Sequence, residues 1–143
     1  MVISSKGRYA LRVMVDLAEH GGDGYVSMRD VARRQEISDK YAGQIMTLLS
    51  RAGLVDGVTG KGGGYRLTRE PDQYTVGEIL TLTEGSLAPV SCLAQGAAPC
   101  RRMSSCRTYD MWKGLDDLIE DYFGKITLAD LAAPDEAGND YVI

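Results

Sequence analysis

The sequence predicts a mostly α-helical fold that contains one small β-hairpin. Three observations lead to this prediction: a helix-turn-helix pattern at residues 27–52, a glycine-rich hairpin pattern at residues 54–68, and a long apolar helix pattern from about residue 108. A chain of 143 residues with 44% hydrophobic content is long enough to build one compact core. The expected architecture is therefore one core with a long helix attached to it.

The first predicted helix covers residues 5–20. Its apolar residues recur at helical spacing and form one stripe of Ala10, Val13, Met14, Leu17 and Ala18. The segment GGDG at 21–24 ends the helix. Lys6, Arg8 and Arg12 form a basic group on it, which is either a solvated face or a surface that holds phosphates.

Two short helices are predicted within residues 27–52. Ser27 begins the first with a capping-box-like pattern, the chain turns near Glu36-Ile37, and Ser38 can cap the second helix. The predicted inner stripe of the second helix consists of Tyr41, Ile45, Leu48, Leu49 and Ala52. A helix fits the major groove of DNA, where side chains of its first turns reach base edges. Ser38, Lys40 and Gln44 are therefore the predicted base-reading residues.

A hairpin with a glycine-rich tip follows at once. Leu54 and Val55 suit one strand, Tyr65 and Leu67 suit the other, and residues 60–64 form the tip. Helix-turn-helix followed by a hairpin is the order of a winged helix. A tip with Lys61, Gly62 and Gly63 lets the backbone approach phosphates or the minor groove. A plain turn with a solvated lysine is the alternative.

All three cysteines lie in a Gly/Ala/Pro/Ser-rich loop after a helix that Thr75 can cap. Thiolates are soft ligands that suit iron–sulfur clusters and zinc, so Cys92, Cys100 and Cys106 are candidate metal ligands. Structural zinc sites have short paired spacings and four ligands, and neither is present here. From the residues alone, a cluster, a thiol-based redox or metabolite sensor, and zinc or no function remain open.

The long helix pattern runs from about Thr108 to Gly124. Its apolar face is wider than one side of a lone helix needs, and consists of Met111, Trp112, Leu115, Leu118, Ile119, Tyr122 and Phe123. The acidic residues predicted to lie opposite this face are Asp116, Asp117, Glu120 and Asp121. We expect part of the apolar face to pack on its own domain and part on a second copy, which gives a homodimer. Burial in its own domain only is the alternative.

These patterns divide the chain into four parts. They are a winged-helix DNA-binding domain at 1–84, a cysteine loop at 85–107, a dimerisation helix and terminal turn at 108–132, and a flexible acidic tail at 133–143. Residues 1–80 carry 11 Lys and Arg against 10 Asp and Glu, whereas residues 81–143 carry 5 against 10. An anionic partner is therefore expected to meet the N-terminal half. Because no apolar run reaches the roughly 18 residues that span a bilayer, we expect a cytoplasmic protein with no membrane partner.

Five segments resemble the IscR-type winged-helix transcription regulators of the Rrf2 superfamily: SSKGRYALRVMVDLA, ISDKYAGQIMTLLSRAGLV, GKGGGYRL, TVGEIL and ITLADL. The resemblance covers about residues 1–132. It implies a bacterial homodimer that binds a double-stranded DNA operator and holds an iron–sulfur cluster, [2Fe–2S] in preference to [4Fe–4S], on Cys92, Cys100 and Cys106. By position, Arg8 and Lys61–Gly63 would contact the DNA backbone or minor groove.

Two departures from the IscR pattern concern the cluster. Seven residues separate Cys92 from Cys100, where the IscR branch has five. Tyr109 occupies the place of the histidine that follows the last cysteine, and Arg8 occupies the place of an acidic ligand found in some relatives. The fourth ligand is therefore unassigned.

The sequence thus predicts a sequence-specific transcription regulator, with repression as its expected action, and no enzyme. A winged-helix regulator that senses redox state or a small metabolite through its cysteines, without a cluster, is the nearest alternative. A small iron–sulfur or redox protein and a protein-interaction module are alternatives from other classes. Against a redox enzyme, no histidine lies near the cysteines and no nucleotide-binding glycine fingerprint is present.

Overall fold

The computed structural model describes residues 2–22 and 24–132. Within these ranges the helices are α1 (Ser5–His20), α2 (Met28–Gln35), α3 (Asp39–Arg51), α4 (Val76–Glu84), α5 (Tyr109–Lys125) and α6 (Leu128–Ala132), and the strands are β1 (Val55–Val58) and β2 (Gly64–Leu67). Short 3₁₀ turns cover Pro71–Gln73 and Ser91–Leu93. The predicted fold class, mostly α with a helix-turn-helix and a hairpin wing, is confirmed. The predicted tail at 133–143 lies outside the described residues.

Side-chain caps begin several helices where the sequence predicts them. The hydroxyls of Ser38 and Thr75 each accept a hydrogen bond from the backbone N–H three residues later, at 3.0 and 3.1 Å. Thr127 and Asp130 cap α6 reciprocally. The capping box predicted at Ser27 is wrong, because Ser27 is the N-cap of α2 but its side chain makes no cap hydrogen bond with the described residues. The acidic residue three positions on pairs instead with an arginine of α2.

The main core surrounds α1. The predicted stripe on this helix is buried at Ala10, Val13, Met14 and Leu17. Residues from the other elements that complete the core include Val31, Ile45, Met46, Leu49, Leu54, Val55, Tyr74, Ile79 and Leu128. Because α6 contributes the fully buried Leu128, the terminal turn packs into the same core as the winged helix.

The inner face of α3 is rotated from the predicted one. Its buried residues are Ala42, Ile45, Met46 and Leu49. Tyr41 and Leu48 are half-buried and Ala52 is exposed, so the predicted stripe is correct only at Ile45 and Leu49. Ala42 and Met46 are fully buried, and Met46 belongs to the main core, whereas Tyr41 packs against that core from its edge.

The wing is a two-stranded antiparallel hairpin that is tied to the rest of the domain. Its register pairs Val55 with Leu67 and Val58 with Gly64. Val26, between α1 and α2, exchanges two backbone hydrogen bonds of 2.8 Å with Tyr65 of β2. A Cβ at Gly64 would collide with the carbonyl oxygen of Val26, so this close approach requires glycine.

A buried tyrosine joins the wing to α4. The Tyr74 side chain is fully buried, and its hydroxyl donates to the carbonyl oxygen of Leu54 at 2.7 Å. The Tyr74 hydroxyl oxygen in turn accepts hydrogen bonds from the backbone N–H groups of Thr68 and Arg69 at 2.9 and 3.0 Å. These bonds satisfy backbone groups at both ends of the hairpin, and therefore hold the wing at a fixed place beside α4.

The long helix α5 packs on the core through one side. Ile119 and Phe123 contact a second apolar cluster of Val76, Leu80 and Leu87. Asp116, predicted to lie opposite the apolar face, is only 7% exposed. That prediction is wrong, because residue 116 lies between residues 112, 119 and 123 on a helix with 3.6 residues per turn. No helix in the described ranges is both long and apolar enough to cross a membrane.

Candidate DNA-binding surface and cysteine loop

The predicted base-reading residues lie at the start of α3. Ser38, Lys40 and Gln44 are all exposed. The Ser38 oxygen accepts the backbone N–H of Tyr41, so the hydroxyl caps the helix and its own proton can still be donated outward. Lys40 and Gln44 are four residues apart and therefore lie on one face of the helix.

The start of α1 lies beside the start of α3. The rings of Tyr9 and Tyr41 meet edge to face, with centroids 5.8 Å apart and an interplanar angle of 81°. Lys6 and Arg8, which precede Tyr9, are exposed. Aromatic packing therefore brings the first turn of α1, with its two cations, to the N-terminal end of the candidate recognition helix.

Specific contacts fix the position of the Arg12 side chain, which the sequence does not predict. Its guanidinium lies 4.7 Å from the centroid of the Tyr9 ring. It also donates to the side-chain and backbone oxygens of Gln35 at 3.0 and 2.8 Å. The group is exposed, so these contacts hold a cation at the surface between α1 and α2.

Sequence reasoning missed a buried ion pair behind this surface. Asp16 is 2% exposed and accepts hydrogen bonds from Arg34 at 3.0 and 2.7 Å and from Gln35 at 2.8 Å. The hydrogen bond from Arg34 to Asp16 raises the pKa of the Arg34 guanidinium. The ion pair fixes α2 against α1. An acidic residue three positions after Val13, inside an apolar stripe, is the signal that could have revealed it.

The wing tip exposes Lys61 and Gly62, whereas Gly63 is half-buried. The N–H of Gly63 donates to the carbonyl oxygen of Gly60 at 3.0 Å, and a Cβ at Gly63 would collide with the carbonyl oxygen of Val58. Gly63 is therefore required by the turn itself. Gly62 has a φ of 79° and open space around its α-carbon, so its backbone faces outward.

The cysteine loop connects α4 to α5 and exposes its thiols. Cys92 and Cys106 are exposed, Cys100 is half-buried, and all three are free. In the described part of the chain, no three His, Cys, Asp or Glu side chains converge in a geometry that could hold a metal ion. The donor chemistry suits a cluster, but this conformation of the loop does not assemble the three sulfurs into one site.

One thiol of the loop is activated. The Cys106 sulfur lies 3.4 Å from the hydroxyl oxygen of Thr108. Hydrogen bonds from the side chain and backbone of Thr108 lower the pKa of Cys106, with a smaller contribution from Arg102. Because the thiolate is the ligand and the nucleophile, this loop is prepared for metal binding or oxidation at its C-terminal end.

The first residue before the loop contacts the start of α1. Glu84 ends α4, and its carboxylate accepts hydrogen bonds from the backbone N–H and, at 2.9 Å, from the hydroxyl of Ser4. Ser4 is the N-cap of α1 and accepts the Gly7 N–H at 3.1 Å. A Cβ at Gly7 would lie 2.8 Å from a Glu84 oxygen, so a larger residue there would displace the Glu84 carboxylate. The segment SSKGRYALRVMVDLA contains Ser4, but the sequence alone does not show that Glu84 contacts it.

The predicted dimer residues divide between two sides of α5. Met111, Leu115, Leu118 and Tyr122 are 57%, 39%, 67% and 58% exposed. Their spacing of four, three and four residues places them in one narrow row, which we call the outer stripe. The remaining two predicted residues, Trp112 and Ile119, are half-buried, and Ile119 packs on the second apolar cluster.

Comparison with known proteins agrees with this architecture. The family model described as Rrf2, an iron-dependent transcriptional regulator, matches residues 3–134. The chain is 39% identical over 131 residues to the HTH-type transcriptional regulator IscR of Erwinia tasmaniensis, covering 92% of this chain and 78% of the relative. It is 38% identical over 136 residues to IscR of Sodalis glossinidius, covering 95% and 81%.

Two solved structures show the same fold. CymR, the global cysteine regulator of B. subtilis, superposes with a TM-score of 0.76 at 34% identity, covering 93% of this chain and 97% of that one. T. potens IscR superposes with a TM-score of 0.71 at 35% identity, covering 92% and 85%. On the fold, the family match and these relatives, the chain belongs to the Rrf2 family of transcriptional regulators.

Proposed function

We propose that this chain is a homodimeric, sequence-specific DNA-binding repressor that is gated by an iron–sulfur cluster on its cysteine loop. The observation that carries the DNA-binding part is the Tyr9–Tyr41 contact, which sets the basic start of α1 beside the exposed start of α3. In this arrangement Lys40 and Gln44 read base edges in the major groove. Lys6 and Arg8 neutralise phosphates on the flanking backbone.

The wing supplies a second DNA contact in this proposal. Tyr74 and the Val26–Tyr65 bridge fix the hairpin relative to the rest of the domain. Lys61 at the exposed tip is therefore held at one position and can neutralise a phosphate, while the Gly62 backbone approaches closely. Gly63 supports this contact by closing the turn rather than by touching DNA.

The outer stripe is the proposed dimer seam. Four large apolar side chains in a row on one helix are more apolar surface than an isolated helix face is expected to leave in water. A second copy of α5 that crosses the first would cover both stripes around a two-fold axis. Two DNA-binding domains related in this way would read an operator of two symmetric halves.

In the proposed holo-protein Cys92, Cys100 and Cys106 hold the cluster, and [2Fe–2S] is the proposed type. The cluster would supply sensitivity to oxygen and to the iron state of the cell. The support from the chain is three free thiols on one loop, one of them with a lowered pKa, and the family's description as iron-dependent. The loop has to close to bring its sulfurs together.

The contact between Glu84 and Ser4 can transmit a conformational change of the cysteine loop to the DNA-contacting start of α1. Closing the loop pulls on its first residues, which directly follow Glu84. A shift of that carboxylate changes the capping of α1, and α1 carries Lys6 and Arg8 in its first turn. The gate therefore acts on phosphate contacts, which set the overall affinity for DNA.

A thiol-based sensor without a cluster is the second candidate function. The lowered pKa and full exposure of Cys106 favour it, because exposed low-pKa thiols oxidise readily. The two candidate functions can be distinguished by purifying the protein anaerobically, recording its visible spectrum and measuring its iron and sulfide content. Iron and sulfide in equal amounts with visible absorbance support the cluster. Colourless protein whose DNA affinity changes reversibly on thiol oxidation contradicts it.

A further inference from the structure

A cavity of about 420 Å³ lies between α4, the first part of the cysteine loop and the inner side of α5. Its polar lining consists of Thr81, Ser86, Gln95, Asp116 and Glu120. It is on the opposite side of α5 from the outer stripe, and no cysteine lines it. The cavity is thus separate from the surfaces assigned above to DNA and to the second copy, and Leu93 and Gln95 of the cysteine loop form part of its wall.

Asp116 is the unusual group in this cavity. It is 93% buried, since 7% of its surface is exposed, and no residue in the described ranges donates a hydrogen bond to it. Among the described side chains, no fully buried oxygen lacks a partner. The Asp116 oxygens are therefore not fully buried, and they remain accessible to solvent from the cavity that this residue lines. The other buried carboxylate, Asp16, accepts three hydrogen bonds and needs no ligand.

The nearest lysine on the same helix attracts Asp116 electrostatically but makes no hydrogen bond to it. Lys113, one turn earlier, makes its ion pair with Asp117 on the solvent side of α5. A largely buried carboxylate without a protein donor depends on what occupies the cavity beside it, because only that side of the group stays accessible. The site is therefore prepared for a donor that comes from outside the chain.

The lining identifies the class of that donor. Glu120, an exposed residue one turn after Asp116, adds a second carboxylate, and none of the described residues that line the cavity is Lys, Arg or His. Leu87 and Leu93 supply apolar walls. Carboxylates accept hydrogen bonds only, so the matching group is a cation with several donors, and an ammonium has three. A zwitterionic amino acid does not fit, because its own carboxylate would find no cation here.

We propose that this cavity binds a small protonated aliphatic amine, with Asp116 as its principal acceptor and Glu120 as the second. The ammonium head lies between the two carboxylates and the aliphatic body lies along Leu87 and Leu93. Because Ser86, Leu93 and Gln95 belong to the loop and Asp116 to α5, a bound amine ties the loop to α5. The proposed effector site uses none of the thiols directly, although it shares the loop that carries them.

The test is calorimetric or NMR titration of the full-length chain with n-butylamine at pH 7, without DNA. We expect saturable binding of one amine per chain, and no binding of 1-butanol or butanoate. Asp116→Asn keeps the shape but loses a charge-assisted hydrogen bond, so affinity should fall about 10- to 100-fold. Glu120→Gln should weaken binding less. Asp121→Asn is the matched control, since it removes one exposed α5 charge paired with Lys125 and should change nothing.

The thermal stability of the variants shows whether Asp116 serves a ligand or stabilises the fold. If Asp116 serves a ligand, Asp116→Asn should leave the melting temperature of the ligand-free chain unchanged or raise it, whereas Asp16→Asn should lower it. Butylamine that fails to saturate wild type, that binds Asp116→Asn equally well, or that is matched by 1-butanol overturns the proposal. Because no DNA is present, these outcomes leave the proposed repressor function untouched.

Discussion

Replacing Leu118 by alanine should weaken the dimer without disturbing the protomer. Leu118 has the most exposed side chain of the outer stripe, at 67%, and makes no contribution to either apolar cluster. In a monomer the substitution therefore removes little buried surface. In a dimer whose seam is the outer stripe, it removes an apolar side chain from both halves.

The size of the effect follows from the exposed fraction. Full burial of a leucine side chain contributes about 1.5–3 kcal/mol, so covering the exposed two-thirds contributes about 1–2 kcal/mol for each copy. A symmetric dimer contains the site twice, which gives about 2–4 kcal/mol in total. Since a tenfold change in the dissociation constant corresponds to about 1.4 kcal/mol, the dimer should dissociate about 30- to several hundred-fold more readily.

Sedimentation equilibrium of wild type, Leu118→Ala and Asp117→Ala measures this directly. Asp117 lies on the same helix away from the outer stripe and pairs with Lys113, so its substitution should leave the dimer intact. Thermal unfolding of each variant checks that the fold is retained. A wild type that is monomeric at micromolar concentration, or equal dissociation constants for Leu118→Ala and Asp117→Ala, would refute the assignment of the seam.

Three further predictions concern DNA and the loop. Lys61→Ala should weaken binding to all duplexes by a similar factor, because a phosphate contact carries no sequence information, whereas Gln44→Ala should change the order in which duplexes are preferred. Competition binding to a panel of duplexes measures both effects. The reversed pattern would contradict the roles assigned to these two residues. Glu84→Gln should weaken the hydrogen bonds to Ser4, so amide hydrogen exchange in the first turn of α1 should become faster and DNA binding about two- to tenfold weaker. Unchanged exchange would contradict the proposed connection between the cysteine loop and α1. Thr108→Val removes the side-chain hydrogen bond that lowers the pKa of Cys106, so the pKa of Cys106 should rise. In cluster-free protein the pH profile of thiol alkylation should therefore move to higher pH. An unchanged profile would contradict the hydrogen bond between Thr108 and Cys106.

Local signals in the sequence were sufficient for the helices and the wing. Ser38 and Thr75 act as the caps that their positions predict. Periodicity predicted the extent of α1 and α5, because each helix has a strong apolar pattern. The buried face of α3 is less certain from the sequence, since six of the 13 residues of this helix are apolar and only its packing in the fold selects Ala42 and Met46.

Long-range polar contacts could not be predicted in the same way. Glu84 meets Ser4 across 80 residues, and neither residue type is unusual where it stands. Asp116 was assigned to the solvent side by its charge, although its helical angle places it beside Phe123 and Ile119. A charge on an inward angle is visible in the sequence, but whether it finds a partner, as Asp16 does, or faces a cavity, as Asp116 does, depends on the loop that covers it.

In the proposed function, the cysteine loop controls DNA binding. The direct measurement is the affinity of anaerobically purified protein for a duplex that the protein itself selects from a random pool, before and after exposure to air. We expect wild-type affinity to change at least about tenfold, in step with loss of visible absorbance, and a variant with Cys92, Cys100 and Cys106 all replaced by alanine to show one constant affinity. An unchanged wild type, or the same change in the cysteine-free variant, would contradict the account.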